Sequence, residues 1–302
     1  MASRLWLLVA LAVGCEQSLE IGSISMRESR DAPSPTAAGN AGAGGVSSNT
    51  PDVGASGAYT AGGSVSLPAG AAGAADLAGA AGAEHDGSLW NSGFETGDTG
   101  EWSTDGAATG GAFLHVASLQ ASTEQAHGGV YSAKIGFDTS DGDYHWSELY
   151  RAVAGGAAYY SAWFYLDAPH TPSVYWTIFN FFSESTPGEL GTRHGLWDVN
   201  LNAQSLYFYD EGTKKFADAS PRLSYPIGRW FQLEAYLDYA PPSASRLIVW
   251  LDGTQILERS DLQSPAGTTL YWGIGSQTDA LTPSSCTLYI DDAAISRSRV
   301  GP

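Results

Sequence analysis

Aromatic and polar side chains alternate along several short stretches of this sequence. In YYSAWFYLD, residues 159–167, Trp163 and Tyr165 share one face of an extended strand, because successive side chains point to opposite sides. Aromatic rings can cover the apolar faces of pyranoses, while carboxylates and amides hydrogen-bond the hydroxyl groups. The alternation therefore predicts a sugar-binding surface from seven side chains: Trp163, Tyr165, Asp198, Asn200, Tyr207, Tyr209 and Glu234. For each single residue, strand formation and packing against neighbouring loops remain the alternative role.

A pair of carboxylates that could cleave a glycosidic bond is the second chemistry to consider. The most acidic strand-like stretch, QLEAYLD, places Glu234 and Asp238 on one face. At the rise of an extended strand, four residues span about 13 Å. This distance exceeds the separation of the carboxyl pairs that hydrolyse glycosides. The spacing therefore argues against a hydrolase.

Strands must position these side chains, and strand patterns recur from about residue 88 to the end of the sequence. Runs rich in aromatic and β-branched residues, such as VYWTIFNFF and TTLYWGIGS, are bounded by Gly, Pro, Asp and Ser. Asp252-Gly253 separates two apolar runs, which is a hairpin signal. No stretch shows a sustained helical period with caps. We therefore predict an all-β domain over residues 88–302, an antiparallel two-sheet jelly-roll sandwich of about ten strands or more.

The first fifteen residues, MASRLWLLVALAVGC, have the order of a secretory signal. Arg4 precedes an apolar run, residues 5–13, that is too short to span a bilayer as a helix. The end of this segment resembles the lipobox of bacterial lipoproteins, although Ala12 stands where Leu is commoner. The resemblance implies that Cys15 is lipidated and that the protein is exported and anchored to a bacterial membrane, at the cell surface or facing the periplasm. An ordinary signal peptide, cut nearby, is the alternative.

Residues 16–87 consist mainly of Gly, Ala, Ser, Thr and Pro. Such a segment buries too little surface to offset its ordering entropy, so we predict a disordered linker. As a random coil it would span roughly 45 Å. With a lipid at Cys15, the linker would hold the domain away from the membrane; without a lipid it would be a plain spacer.

The charge of the sequence restricts its partners. The chain has 14 Lys and Arg residues against 32 Asp and Glu residues, a formal net charge of −18. A nucleic-acid partner would need a basic surface, so it is excluded, and a polyanionic ligand is disfavoured. Cys286 is the only cysteine apart from Cys15, so we predict no intramolecular disulfide and a buried, inert thiol at Cys286. We also expect a monomer.

Three blocks of the sequence carry a family resemblance. NSGFETGDTGEW, residues 91–102, resembles the first strand and turn of β-sandwich carbohydrate-binding modules, and YIDDAAIS resembles their last strand. IGRWFQLEAYLDYAPPSASRLIVWLDGTQILE resembles the Trp-containing strand and Asp-Gly hairpin of the concanavalin A-like lectin/glucanase superfamily, which includes laminin G-like domains and polysaccharide lyases. The resemblance covers most of residues 88–297 and implies the fold. Function must be argued from the sites.

The resemblance also implies a structural calcium ion. In the carbohydrate-binding modules, an acidic residue of the opening turn and an Asp of the last strand share a calcium ion, and backbone carbonyls complete its shell. Carried over to this sequence, the ligands are Glu95 and Asp292, with Asp291 or Asp98 as further candidates. The alternative is that these acids cap turns and face water.

The catalytic motifs of the superfamily are missing from the sequence. It has no strand with the alternating carboxylates of the glucanases. One family of alginate lyases has an Arg-Ser-Glu-Leu-Arg strand, whereas residues 146–150 read WSELY, without either arginine. The other lyase motifs, Gln-Ile-His and Tyr-Phe-Lys-Ala-Gly, have no clean counterpart. If the protein were a lyase, its charge neutraliser, base and acid would come from four residues: Arg193, His194, Tyr207 and Tyr209.

The sequence thus favours a surface-anchored, non-catalytic module that binds a glycan or mediates adhesion, with neutral polysaccharide as the preferred ligand. A polysaccharide lyase acting by β-elimination and a laminin G-like protein-binding module are the alternatives. All three hypotheses share the predicted fold. Retention on neutral glycans without product would support the first, an unsaturated uronate product the second, and neither result the third.

Overall fold

The computed structural model describes residues 87–103, 109–184, 193–239, 245–262 and 269–302. The predicted leader, its lipidation site Cys15 and nearly all of the predicted linker lie outside these residues. In the described ranges, no helix is both long and apolar enough to cross a membrane.

Strands dominate the described residues, which contain two 3-10 turns, Gly100–Trp102 and Thr139–Asp141, and no α-helix. In chain order the strands are β1 Ser88–Ser92, β2 Gly110–His115, β3 Ser118–Ser122, β4 Ser132–Asp138, β5 His145–Ala152, β6 Ala158–Leu166, β7 Thr171–Pro172, β8 Trp176–Glu184, β9 Arg193–Asn202, β10 Ser205–Asp210, β11 Lys215–Asp218, β12 Phe231–Asp238, β13 Ser245–Leu251, β14 Thr254–Leu262, β15 Thr269–Thr278, β16 Leu281–Thr282 and β17 Ser285–Ser296.

The strands form two large antiparallel sheets and one small one. The eight-stranded sheet has the order β14-β13-β12-β6-β17-β4-β3, with β1 paired to β17. The seven-stranded sheet has the order β11-β10-β9-β8-β15-β5-β2, and β16 pairs with β7. One hydrophobic core contains residues of both large sheets. The predicted all-β, two-sheet antiparallel sandwich is therefore confirmed for the described part of the domain.

Side-chain alternation decides which residues form the core. Along β6, the partly exposed Tyr159, Trp163 and Tyr165 alternate with a fully buried set, namely Ala158, Tyr160, Ala162, Phe164 and Leu166. Aromatic rings from the facing sheet, such as Phe181 and Trp272, pack against Tyr160. Burial of each such large side chain contributes roughly 1.5–3 kcal/mol. The core and outer faces predicted for this strand are confirmed.

Two local conformations fix details of the sheets. Asp252 and Gly253 both have positive φ, 45° and 76°, as a two-residue hairpin of type I′ requires between β13 and β14. In β17 the pairing with β6 shifts between Asp291 and Ala294, and Asp292 has a φ of 43°. This bulge interrupts the alternation, because an extra residue re-aims the side chains on either side of it.

Candidate functional site

Two rows of residues cross the outer face of the seven-stranded sheet. The first row, read from β5 through β15, β8 and β9 to β10, is Trp146, Gln277, Thr177, Asn200 and Tyr207. The second row, read from β10 back to β5, is Tyr209, Asp198, Asn180, Gly273 and Tyr150. Residues directly opposite in adjacent strands point to the same side of the sheet. Each row is therefore a continuous line of neighbouring side chains.

The first row has an aromatic side chain at each end and polar side chains between them. Tyr207 and Gln277 are partly exposed, whereas Trp146, Thr177 and Asn200 are buried. Thr177 Oγ1 donates a hydrogen bond of 2.7 Å to Asn200 Oδ1. This bond joins the side chains of two neighbouring members of the row. Four strand spacings separate Trp146 from Tyr207, a distance of about 19 Å. The row crosses five adjacent strands of the sheet.

Tyrosines and carboxylates surround Tyr207. Burial raises the pKa of Tyr207, and the negative charges of Asp198 and Asp279 raise it further. Burial likewise raises the pKa of Tyr175. Asp279 Oδ1 is buried and has no hydrogen-bond partner among the described residues. The phenols therefore stay protonated and can both donate and accept hydrogen bonds.

Sequence reasoning missed Tyr175 and Asp279. Tyr175 immediately precedes β8, and Asp279 immediately follows β15. Both lie outside the strand alternation that selected the other candidates. The one feature that could have identified them is their place at the ends of β8 and β15, because strands that pair in a sheet bring their adjoining loops together.

The second row is closed at its β5 end. A Cβ atom on Gly273 would lie 2.3 Å from Glu148 Oε1 and 2.4 Å from Asn180 Oδ1, so these two side chains fill the space above the glycine. Tyr150 packs with Phe182 and Tyr271 in a separate buried cluster. The partly exposed members of this row are therefore Tyr209 and Asp198.

The seven predicted ligand residues do not lie in one groove. Asp198, Asn200, Tyr207 and Tyr209 belong to the seven-stranded sheet, where the two tyrosines face the two polar residues across β9 and β10. Trp163, Tyr165 and Glu234 lie on the outer face of the eight-stranded sheet, across the core. The prediction of a single surface is corrected to two faces. Alternation assigns a side chain to a face, but it does not assign a strand to a sheet.

Glu234 is covered by the C-terminal segment, residues 297–302. Its carboxylate is fully buried and accepts hydrogen bonds from Arg299 Nε at 2.8 Å and from the backbone N–H of Val300 at 2.8 Å. The Arg299 guanidinium also lies over the Trp250 ring, 4.4 Å from its centroid. The ligand role predicted for Glu234 is therefore wrong, since its oxygens hold the C-terminal segment instead.

Trp163 is part of a fixed aromatic pair. The His127 imidazole stacks on the indole with ring centroids 3.7 Å apart and an interplanar angle of 16°. His127 Nδ1 lies 2.7 Å from Asp292 Oδ2. Tyr165 contacts the rings of Trp230 and Tyr289 instead. Sequence reasoning missed His127, which lies in the loop between β3 and β4 and carries no pattern beyond the following Gly128-Gly129 pair.

The predicted metal ligands lie on either side of that loop. Glu95 Oε1 accepts hydrogen bonds from the backbone N–H groups of Val130 and Tyr131, at 2.9 and 3.0 Å. Cβ atoms on Gly128 and Gly129 would lie 2.7 Å from Asp292 Oδ2 and 2.3 Å from Glu95 Oε1. Each carboxylate thus lies against one of two consecutive glycines, and the shared calcium ion stays a prediction.

The two further metal candidates have different surroundings. Asp291 is buried, and its Oδ2 accepts hydrogen bonds from the backbone N–H groups of His127 and Gly128. Burial raises the pKa of Asp291 to about 7, and the charge of Asp292 contributes to the shift. Asp98 is exposed, and its Oδ1 accepts from the Gly100 N–H within its own turn. In the described ranges, no group of three or more His, Cys, Asp or Glu side chains is arranged to hold a metal ion.

The lyase alternative requires four side chains to converge: Arg193, His194, Tyr207 and Tyr209. Tyr207 and Tyr209 share the outer face of the seven-stranded sheet. The neighbour of His194 in β9, Gly195, lies opposite Phe182 of the outer-face aromatic cluster, so His194 belongs to the alternate face of the strand. The side chain of Arg193 lies outside the described residues. His194 therefore does not join the two tyrosines.

No model of a protein family matches the chain, and no curated protein matches it. Among solved structures, it is similar to the cellulose-induced protein Cip1, with a TM-score of 0.53 and 16% identity over 70% of this chain and 99% of that one. It is also similar to the endo-β-1,4-glucuronan lyase from the fungus Trichoderma reesei, with a TM-score of 0.49 and 13% identity over 62% of this chain and 90% of that one.

A third similar structure is AlgAT5, an alginate lyase of polysaccharide lyase family 7, with a TM-score of 0.39 and 13% identity over 62% of this chain and 85% of that one. The fold is the concanavalin A-like jelly roll. At these identities the similarity concerns the fold, which hosts many activities. The predicted fold is confirmed, and the function rests on the residues of this chain.

Proposed function

We propose that the domain binds a neutral polysaccharide along the first row of the seven-stranded sheet and does not cleave it. The observation that carries the proposal is the row itself, in which the partly exposed Tyr207 and Gln277 stand three strand spacings apart, about 14 Å, with the buried Thr177 and Asn200 between them. The Tyr207 ring can stack on a sugar face, and the Gln277 amide can hydrogen-bond hydroxyls. The arrangement suits an extended glycan lying across the strands.

The chemistry of the face argues against β-elimination. A tyrosine that acts as the base must lose its proton, and cationic groups near it would favour that loss. Here, burial and the nearby carboxylates raise the pKa of Tyr207, and burial and Glu211 raise that of Tyr209. The outward positions that carry arginine in the alginate-lyase strand are Trp146 and Tyr150 in this chain. These substitutions remove two groups that would neutralise a uronate.

Retention of the protein on immobilised neutral glucans, xylans and mannans tests the proposal. The Tyr207→Ala variant should weaken binding about tenfold or more, because an aromatic anchor is lost. Tyr236→Ala is the matched control, since this partly exposed tyrosine lies on the other sheet. Retention without new absorbance from an unsaturated uronate supports the proposal, whereas release of such a product supports the lyase. Retention of no glycan would overturn both and leave the laminin G-like protein-binding module.

We also propose that Glu95 and Asp292 hold a structural calcium ion, with backbone carbonyls completing the shell. Two carboxylates on either side of one glycine pair supply oxygen ligands of the kind that calcium prefers. Bound calcium would raise the melting temperature of the native protein by mass action. We expect this rise to vanish in Glu95→Ala and to persist in Asp98→Ala, whose carboxylate caps its own turn. An equal rise in all three proteins, or none in the native protein, would contradict the site.

We further propose that a lipid on Cys15 anchors the domain and that residues 16–87 serve as the tether. The leader and the lipobox-like end carry this proposal. Metabolic labelling with palmitate should mark the native protein but not the Cys15→Ser variant. Equal labelling of the two proteins would show that Cys15 is not the site.

A further inference from the structure

We propose that a pocket on the outer face of the eight-stranded sheet binds a single neutral sugar ring. The pocket has a volume of about 290 Å³ and lies between β1, the bulge of β17, the β3–β4 loop and the C-terminal segment. Its polar and aromatic lining includes Ser88, Asn91, His127, Trp163, Asp292 and Ser296. This site is separate from the first row, which lies across the core.

The aromatic wall of the pocket is fixed in advance of any ligand. His127 stacks on Trp163 at 3.7 Å, and its Nδ1 is held by Asp292 Oδ2 at 2.7 Å. The Trp230 ring meets His127 edge-on, with centroids 5.8 Å apart. A wall held in this way loses little conformational entropy when a ligand packs against it, so more of the contact energy remains for binding.

Polar groups around the wall match the hydroxyls of a pyranose. The Asn91 side chain is exposed on β1 and offers both a donor and an acceptor, and Asp292 offers carboxylate acceptors.

Size and charge select the ligand class. The volume is at the lower end of the range for small-molecule pockets, so one ring fits better than a chain. Asp291, Asp292 and Glu95 lie at or near the pocket, and its lining contains no Lys or Arg. An anionic sugar would be repelled, whereas a neutral ring with one apolar face could pack against Trp163. The inference rests on the proposed function only in taking carbohydrate as the ligand class.

Binding of free neutral hexoses and pentoses to the full chain, followed by ligand-observed NMR at constant calcium, tests the pocket. We expect one or more of these sugars to bind and the Trp163→Ala variant to weaken binding about tenfold, as for an aromatic anchor. Asn91→Ala should weaken it about fivefold, the loss of one or two hydrogen bonds. Gln120→Ala is the control, because this exposed residue lies in β3 of the same sheet and does not line the pocket.

Asn91→Ala removes an exposed side chain, so its result decides the proposal even if Trp163→Ala fails to fold. If free-sugar binding were unchanged in Asn91→Ala and in folded Trp163→Ala, the proposed sugar site in this pocket would be wrong. Failure of the native protein to bind any neutral sugar would contradict the proposal as well. The Tyr207→Ala variant separates the two sites. Polysaccharide retention should fall in that variant while free-sugar binding persists, and loss of both signals together would place both ligands on the first row.

Discussion

The loop between β3 and β4 shows how single residues hold the domain's carboxylates in place. Glu95 on one side and Asp291 on the other accept backbone N–H groups of this loop, so the chain must pass close to both. Glycine is favoured at the two nearest positions, because a Cβ atom on Gly128 or Gly129 would displace carboxylate oxygens and Gly129 has a φ of 62°. The Gly128-Gly129 pair therefore lets the loop pass close to both carboxylates.

We predict that Gly129→Ala lowers the free energy of unfolding by about 2 kcal/mol or more. Its φ of 62° costs a side chain roughly 1–2 kcal/mol, and the new Cβ would displace Glu95 Oε1, 2.3 Å away. Gly155→Ala is the control, since a Cβ there meets no atom within 4 Å. Urea denaturation measures both variants. Equal stabilities would show that the loop can move away from Glu95 without cost.

At the scale of elements, the C-terminal segment acts as an additional layer on β12. Glu234 accepts from Arg299 and from backbone N–H groups, and Gln232 Nε2 donates to the Gly301 carbonyl at 2.8 Å. A carboxylate without solvent needs these donors, because leaving it unpaired would be costly. The segment thereby forms one wall of the pocket beside Trp163.

We predict that Arg299→Ala lowers the free energy of unfolding by about 1–3 kcal/mol, less than for a fully buried pair because the Arg299 side chain is 39% exposed. The exposed pair Arg246–Glu258, at 2.6 Å, provides the control. Arg246→Ala should lower the free energy of unfolding much less than Arg299→Ala does, since solvent screens such exposed pairs. If chemical denaturation gave the two variants the same stability, the backbone N–H groups alone would suffice for Glu234.

At the scale of the whole molecule, the net charge of −18 sets the class of polymer that can approach. A polyuronate meets a repulsive field at low salt, whereas a neutral glycan meets none. Electrostatic steering therefore separates the proposed ligand from the substrate of a uronate lyase before any contact forms. Shape and hydrogen bonding on the first row would then provide the affinity.

We predict that the affinity for a neutral glycan changes less than about twofold between about 0.05 and 0.5 M salt, because few charges are neutralised on binding. A polyuronate should not be retained at the lower salt concentration. Affinity chromatography at the two salt concentrations measures both. Retention of polyuronate at low salt that disappears at high salt would point to a local basic cleft and favour the lyase alternative.

Several features of this fold follow from sequence patterns of short range. The period of two along YYSAWFYLD sorted Tyr160 and Phe164 into the core and Trp163 and Tyr165 to the outside, and Asp252-Gly253 marked a hairpin. These predictions hold because side-chain alternation and turn conformation depend on adjacent residues. They were sufficient for the all-β sandwich and for its core.

Sequence patterns were enough to predict a two-sheet sandwich and the outward side chains of its clearer strands. Strand pairing in the folded domain settles which of those outward side chains share a surface. The tertiary structure aligned Trp146, Gln277, Thr177 and Tyr207 from four strands, placed Trp163 across the core from them and covered Glu234. The physical reason is that side-chain alternation depends on adjacent residues, whereas strand pairing joins residues as distant in sequence as Trp146 and Gln277. The pairing is made by backbone hydrogen bonds, which every residue type except proline can form, so the side-chain pattern does not reveal which strands pair.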